Sequence, residues 1–269
     1  MRVDAVLLDL DGVLYVEDEP VPGARETVSA FRAAGLAVRF VTNTTVLPRR
    51  RILERLQRLG FAAAPEELAT PAALAVRVCL DRGYDRVALV MNDEVREDFA
   101  ELHEVDHDAQ AVIVGDLGPA FGYAPLNRAF RLLMNGADLI ALQKNRFWLT
   151  PDGLSLDVGP FVAALEYASG REAVIVGKPA PAFFETVLAT LNVPPERAAM
   201  VGDDVESDVG GALTAGLAGI LVRTGKYSEG AVRTSGIEPT ATVDSIADVP
   251  ALLEMPLTAP GGPADARPA

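Results

Sequence analysis

The stretch Ala5-Val6-Leu7-Leu8-Asp9-Leu10-Asp11-Gly12 decides how the rest of the chain reads. Ala5–Leu10 is apolar without the alternation of a half-exposed strand. It predicts a strand buried on both faces, as in parallel sheets covered by helices. Successive strand side chains point to opposite faces, so Asp9 and Asp11 reach one side as the strand ends. Two carboxylates held together are costly unless a cation or a proton separates them. Gly12 allows a sharp turn beside them. Taken alone, the four residues from Asp9 to Gly12 read equally well as an acidic turn closing a strand.

The same grammar continues outward. Pro22–Ala34 reads as a helix stopped by Gly35, Val38–Val41 as a second strand, and Pro48–Leu59 as a helix stopped by Gly60. Pro71–Arg82 is a further helix, closed by Gly83. Short apolar strands follow at Val87–Met91, Ala111–Val114 and Leu139–Leu142, with a helix over Leu126–Asn135. After a helix near Phe161–Ala168, strands recur at Ala173–Val176, Ala198–Val201 and Gly219–Val222. This alternation predicts an α/β fold with parallel sheets and helices on both faces. The residues of chemical interest lie only in the first and last thirds. A core split in sequence is therefore expected, over 1–80 and 172–256, with an inserted second domain over 81–171 and a frayed tail from Leu257 to Ala269.

Composition narrows the function. The 269 residues are 49% hydrophobic, enough for a real core, and carry a formal net charge of −14. That balance argues against a nucleic-acid coat or a polybasic membrane surface. A single cysteine, Cys79, excludes an internal disulfide framework and thiolate clusters. It falls on the apolar face of a helix and reads as a small core residue. The two histidines, His103 and His107, leave little room for imidazole-rich zinc chemistry. Asp106 and Asp108 beside them suggest an exposed loop rather than a metal-binding helix. Asp4, Asp9 and Asp11 interrupt the N-terminal apolar run too early for a signal peptide, and no stretch nears the roughly 18 residues of a membrane span. A cytoplasmic protein is expected.

Three further motifs follow apolar strands. Thr42-Asn43-Thr44-Thr45 places hydroxyls, an amide and backbone N–H groups before a helix, which suits an anion or a plain N-cap. Gly177-Lys178-Pro179 offers a lysine that can set a point charge on a phosphate, although taken alone it reads more readily as an ordinary surface lysine. Gly202-Asp203-Asp204-Val205-Glu206-Ser207-Asp208 supplies hard oxygen ligands of the kind magnesium takes, although Asp208 could instead cap the following helix. Read together, the four motifs are expected at the carboxyl edge of one sheet, where open α/β folds bind ligands. Their joint content suits a phosphoryl group bound through magnesium and attacked by a carboxylate.

The ordered set Asp-Leu-Asp-Gly, Thr-Asn, Gly-Lys-Pro and Gly-Asp-Asp-x-x-x-Asp resembles the haloacid dehalogenase superfamily of phosphatases. The short step from Asp11 to Thr42 and the long insert before Lys178 resemble its subclass IIA, whose cap is of the C2 type. The resemblance implies a Rossmann-like core with an inserted α/β cap, and a magnesium cofactor. It implies Asp9 as nucleophile and Asp11 as acid and base, both also among the metal ligands, Asp11 through its carbonyl. Thr42, Asn43 and Thr44 would hold phosphate oxygens, and Lys178 would balance their charge. Asp203 would ligate the metal, with Asp204 and Asp208 ligating it or ordering its shell. Gly202–Ala212 and Thr224-Gly225-Lys226-Tyr227, with Asp157–Phe161 and Ala164–Ala168, resemble a narrower branch of the subclass. That branch carries serine where this chain has Asp11, a departure that favours ordinary phosphomonoester chemistry here.

The expected activity is hydrolysis of a small phosphorylated metabolite. The competing readings are a phospho-acceptor signalling domain, a catalytically silent regulator, and an enzyme acting on pyrophosphate or phosphoprotein. Lys144, Arg146 and Trp148 follow the strand Leu139–Leu142 and are placed either to read the leaving group or in a solvated hairpin. No nucleic-acid or membrane partner is expected. A homodimer is implied by resemblance only.

Overall fold

The computed structural model describes residues 1–150 and 153–253, the side chains of 149 and 150 excepted. The tail expected from Leu257 lies outside the described residues. The opening run becomes β1 (Ala5–Asp9), followed by the hairpin β2 (Tyr15–Val16) and β3 (Glu19–Pro20), then α1 (Ala24–Ala33), β4 (Ala37–Val41), α2 (Arg49–Arg58), β5 (Leu68–Ala69) and α3 (Pro71–Asp81). The insert supplies β6 (Arg86–Val90), β7 (His103–Glu104), β8 (Ala111–Val114), α4 (Tyr123–Met134) and β9 (Asp138–Ala141). A hairpin of β10 (Phe147–Thr150) and β11 (Gly153–Leu156), helix α5 (Gly159–Ser169) and β12 (Val174–Ile175) complete it. The chain closes with α6 (Pro181–Ala189), β13 (Ala198–Gly202), α7 (Gly211–Thr214), β14 (Ala218–Val222), α8 (Glu229–Ser235), β15 (Ala241–Val243) and α9 (Val249–Leu252).

Two parallel sheets result. The first has the order β15-β14-β13-β1-β4-β5, which puts β1 near its centre, and the second the order β12-β9-β8-β6-β7. Strand alternation sends Ala5 and Leu7 of β1 into one apolar cluster and Val6 and Leu8 into another. In the second sheet, Leu89, Ile113 and Ile140 join the same cluster as Leu7, while Val90, Val112 and Leu139 face the opposite side. One continuous apolar layer, filled by Ala75 and Cys79 of α3 and Phe183 and Phe184 of α6, therefore runs from the first sheet to the second. Cys79 is buried there, as its apolar face predicts.

One strand departs from expectation. The apolar run at Ala173–Val176 does form a strand, but β12 pairs with β9, Val174 opposite Ile140, and so belongs to the second sheet. The four motifs therefore do not all follow strands of one sheet, because Lys178 enters the site from the edge of the inserted one. An apolar run records burial, not the identity of the neighbouring strand. No helix among the described residues is long and apolar enough to cross a membrane.

Candidate active site

The site lies at the carboxyl ends of β1, β4 and β13. Asp9 closes β1, and Asp11 stands exposed in the turn beyond it. Gly12 takes φ +80° there, and a Cβ on it would land on the Asp203 carboxylate. Gly225, at φ +64° in the loop after β14, meets the same carboxylate from the other side. The Thr224 hydroxyl, donating to the Gly12 carbonyl, ties those two turns together.

Lys178 is the centre of the charge arrangement. Its Nζ donates to Asp9 Oδ1 at 2.7 Å and to Asp208 Oδ1 at 2.6 Å, with side-chain exposures of 2% for Lys178, 13% for Asp9 and 1% for Asp208. Burial works against the ammonium, but Asp208 and Asp9 outweigh it and hold Lys178 above the ordinary lysine range. Burial pushes Asp208 up to about 7, opposed by Lys178. It pushes Asp203 up to about 6, with the Asp208 charge adding to the effect. Asp9 is raised by burial against the pull of Lys178, and Asp11 is raised by desolvation against Arg55, Lys226 and Lys178.

Asp9, Asp203 and Asp208 each bring a carboxylate oxygen within 4.8 Å of the others, which is the separation of a shared cation site. Asp203 Oδ2 accepts the Lys226 N–H at 2.7 Å, whereas its Oδ1 is buried with no hydrogen-bond partner. A buried carboxylate oxygen left unpaired is costly unless something fills that position. An all-oxygen set of this kind suits magnesium, which needs only a few carboxylates besides water and substrate oxygens.

The remaining motif residues are distributed differently. Asp204 Oδ1 accepts from Glu206 and Ser207 N–H groups, each at 3.0 Å, so Asp204 caps the π-helical turn Val205–Gly210. The capping role thus falls to Asp204, and Asp208 turns inward, with its Oδ2 accepting the Asp204 N–H at 3.1 Å. Thr42 is buried, and its hydroxyl accepts the Thr44 N–H at 3.1 Å, forming a tight loop before α2. Asn43 commits its carboxamide to Lys178, donating to that carbonyl and accepting that N–H, both at 2.8 Å. These two bonds tie the loop after β4 to the backbone of the lysine.

Lys144 pairs with Glu166 at 2.6 Å, Arg146 lies over the Phe147 ring at 5.6 Å, and Trp148 sits half-exposed on β10. Trp148 thus lies on the β10–β11 hairpin, with Lys144 and Arg146 on the segment that leads into it. His103 and His107 are both exposed, His103 on β7 and not on a helix. Lys226 joins the site through the N–H it donates to Asp203, although the sequence motifs do not place it there. The signal was there, since it follows the apolar strand β14 just as the other motifs follow theirs.

The match to known proteins agrees with this arrangement. A haloacid dehalogenase-like hydrolase model matches residues 6–104, and a HAD-hydrolase-like model matches residues 175–249. Haloacid dehalogenase-like hydrolase domain-containing protein 2 of Rattus norvegicus is 47% identical over 223 residues, 83% of this chain and 85% of that protein. The chain belongs to the haloacid dehalogenase-like hydrolases. Phospholysine phosphohistidine inorganic pyrophosphate phosphatase of Homo sapiens is 37% identical to this hydrolase over 257 residues, 93% of the chain and 94% of that protein. Among solved structures, p-nitrophenyl phosphatase from Archaeoglobus fulgidus superposes with a TM-score of 0.88 at 25% identity, covering 94% of this chain and all of the other. Glycerol phosphate phosphatase from Mycobacterium tuberculosis, in complex with magnesium, has a TM-score of 0.79 at 28% identity, over 91% of this chain and 75% of that one. This hydrolase is accordingly a phosphatase of subclass IIA, with a Rossmann-like core and an inserted α/β cap.

Proposed function

We propose that this phosphatase hydrolyses small phosphorylated metabolites through an aspartyl-phosphate on Asp9, with magnesium held by Asp9, Asp203 and Asp208. The observation that carries the reading is the buried Lys178 bridging Asp9 and Asp208 beside the unpaired Asp203 Oδ1. Lys178 occupies Asp9 Oδ1, which leaves Oδ2 to attack phosphorus. The phosphorus–oxygen bond to the leaving group breaks, and Asp11, whose raised pKa suits a proton donor, protonates the departing oxygen. Asp11, now a carboxylate, takes a proton from water as that water attacks phosphorus. The bond between phosphorus and Asp9 Oδ2 breaks, which returns the Asp9 carboxylate, phosphate leaves, and Asp11 is protonated again. The Thr42–Thr44 loop receives the phosphoryl oxygens beside the start of α2. A bound magnesium ion would neutralise negative charge on the phosphoryl group.

Phosphate release from p-nitrophenyl phosphate should require magnesium and vanish on chelation or in Asp9→Asn. Asp11→Asn should bind substrate yet lose about 10²–10⁴-fold in turnover, the usual worth of a positioned acid or base. A purified protein inert towards a broad phosphate panel with magnesium would return the regulatory and phospho-acceptor readings to the front. The panel should include pyrophosphate and phosphoamidates, because a relative named for them matches 93% of the chain.

A further inference from the structure

Helix α2 starts poorly by its own sequence. Its N-cap, Pro48, has no side-chain acceptor, and no acidic residue lies in the first turn. Arg49, Arg50 and Arg51 instead crowd the end of the helix dipole that favours negative charge. The missing acceptor comes from the insert. Asp98 receives the Arg49 N–H on its two carboxylate oxygens at 3.2 and 3.0 Å, and Glu97 pairs with Arg50 at 3.2 Å.

Asn92, also in the insert, makes a second such contact. Its Oδ1 accepts the Val95 N–H at 3.2 Å and its Nδ2 donates to the Asp116 carbonyl at 3.3 Å, which fixes the amide within the inserted layer. The same Nδ2 donates to the carbonyl of Thr45 at 3.4 Å. Thr45 is buried and directly follows the Thr42–Thr44 loop. The segment between β4 and α2 is thus gripped at Thr45 and at Arg49 by side chains from the stretch of the insert that follows β6.

We propose that Asp98 and Asn92 are positioning residues for phosphate recognition, holding the Thr42–Thr45 loop in its binding shape from across the domain boundary. The phosphate cradle is then complete only while the insert is docked. This inference rests on the reading of Thr42–Thr44 as the phosphate cradle.

The test is inhibition by inorganic phosphate, measured with kcat and KM for p-nitrophenyl phosphate. Asp98→Leu should raise the phosphate inhibition constant and KM together by about three- to thirtyfold, the range for losing a capping acceptor, with a smaller change in kcat. Asp98→Asn keeps one acceptor oxygen and should recover most of the loss. Asn92→Ala should move in the same direction as Asp98→Leu, and carries the test if the leucine variant does not fold. Glu97→Gln, which removes only an exposed ion pair, should match the parent. Unchanged phosphate inhibition in Asp98→Leu and Asn92→Ala would overturn the proposal, as would a fall confined to kcat and melting temperature. Thr42→Val separates the two levels. If that variant leaves phosphate inhibition untouched, the cradle reading itself fails. If it weakens phosphate while the Asp98 and Asn92 variants do not, the positioning role alone fails.

Discussion

Lys178 concentrates the chemistry into one side chain. A lysine buried to this degree keeps its charge only because two carboxylates meet it within 2.7 Å. Removing it leaves Asp9 and Asp208 as acids facing each other without a counter-charge. Lys178→Met should therefore lose turnover and also about 3–5 kcal/mol of stability at pH 8, the range for breaking a buried pair from one side. At pH 5 the loss should shrink, because protonation then neutralises the orphaned acids. Urea unfolding at the two pH values measures this, and an equal loss at both would contradict the charge argument. Asn43 teaches a related lesson. Its position beside Thr42 reads as a phosphate ligand in sequence, yet its carboxamide is paired with the backbone of a residue far along the chain. Only the fold could supply that partner.

At the scale of elements, the turns matter as much as the strands. Gly12 and Gly225 both hold positive φ and both leave room for the Asp203 carboxylate. Gly225→Ala would strain the loop and displace Asp203 Oδ2 and the Gly12 backbone. It should weaken magnesium binding at least about tenfold, each factor of ten corresponding to about 1.4 kcal/mol, with far-ultraviolet circular dichroism unchanged. Calorimetric titration with magnesium decides it, and parental affinity would discard the crowding argument. The longer buried strands and most helices are legible in the sequence, because buried parallel strands are short apolar runs and several helices stop at glycines; the two-residue strands β2, β3, β5 and β7, the β10–β11 hairpin and β15 are not. The π-helical turn that aims Asp208 at Lys178 is not either, since nothing local separates it from an ordinary helix start. Nor is the sheet to which β12 belongs. Pairing is chosen by the whole layer, and a two-residue strand carries no address. The help that α2 receives from Asp98 is equally hidden, because its partner lies in the insert, 49 residues along the chain.

For the whole molecule, acidity and cation binding are linked. Asp203 and Asp208, raised to about 6 and about 7, bind their protons more tightly folded than at the unfolded value of 3.8. The folded chain then carries more protons than the unfolded one, so stability without metal declines as pH climbs from about 4 through about 7. A divalent cation competes for the same oxygens. The gain in melting temperature on adding magnesium should accordingly be larger at pH 8 than at pH 5, and equal gains would argue against a site built on these acids. The formal charge of −14 acts in the same direction, since it attracts cations while repelling extended polyanions.

The short return of the chain from β12 has a last consequence. Ile175 ends the edge strand of the inserted sheet, and Lys178, whose backbone is clasped by Asn43, lies three residues on. Three residues span roughly 11 Å at most, so little slack separates that strand from the lysine. Lifting the inserted sheet would pull first on the Lys178–Asn43 clasp, and through it on the ammonium that pairs with Asp9. Opening and reactivity would exclude one another, as in an interlock. Hydrolysis of a phosphorylated Asp9 would then wait for the inserted sheet to be seated, since only that position returns the ammonium to Asp9 Oδ1.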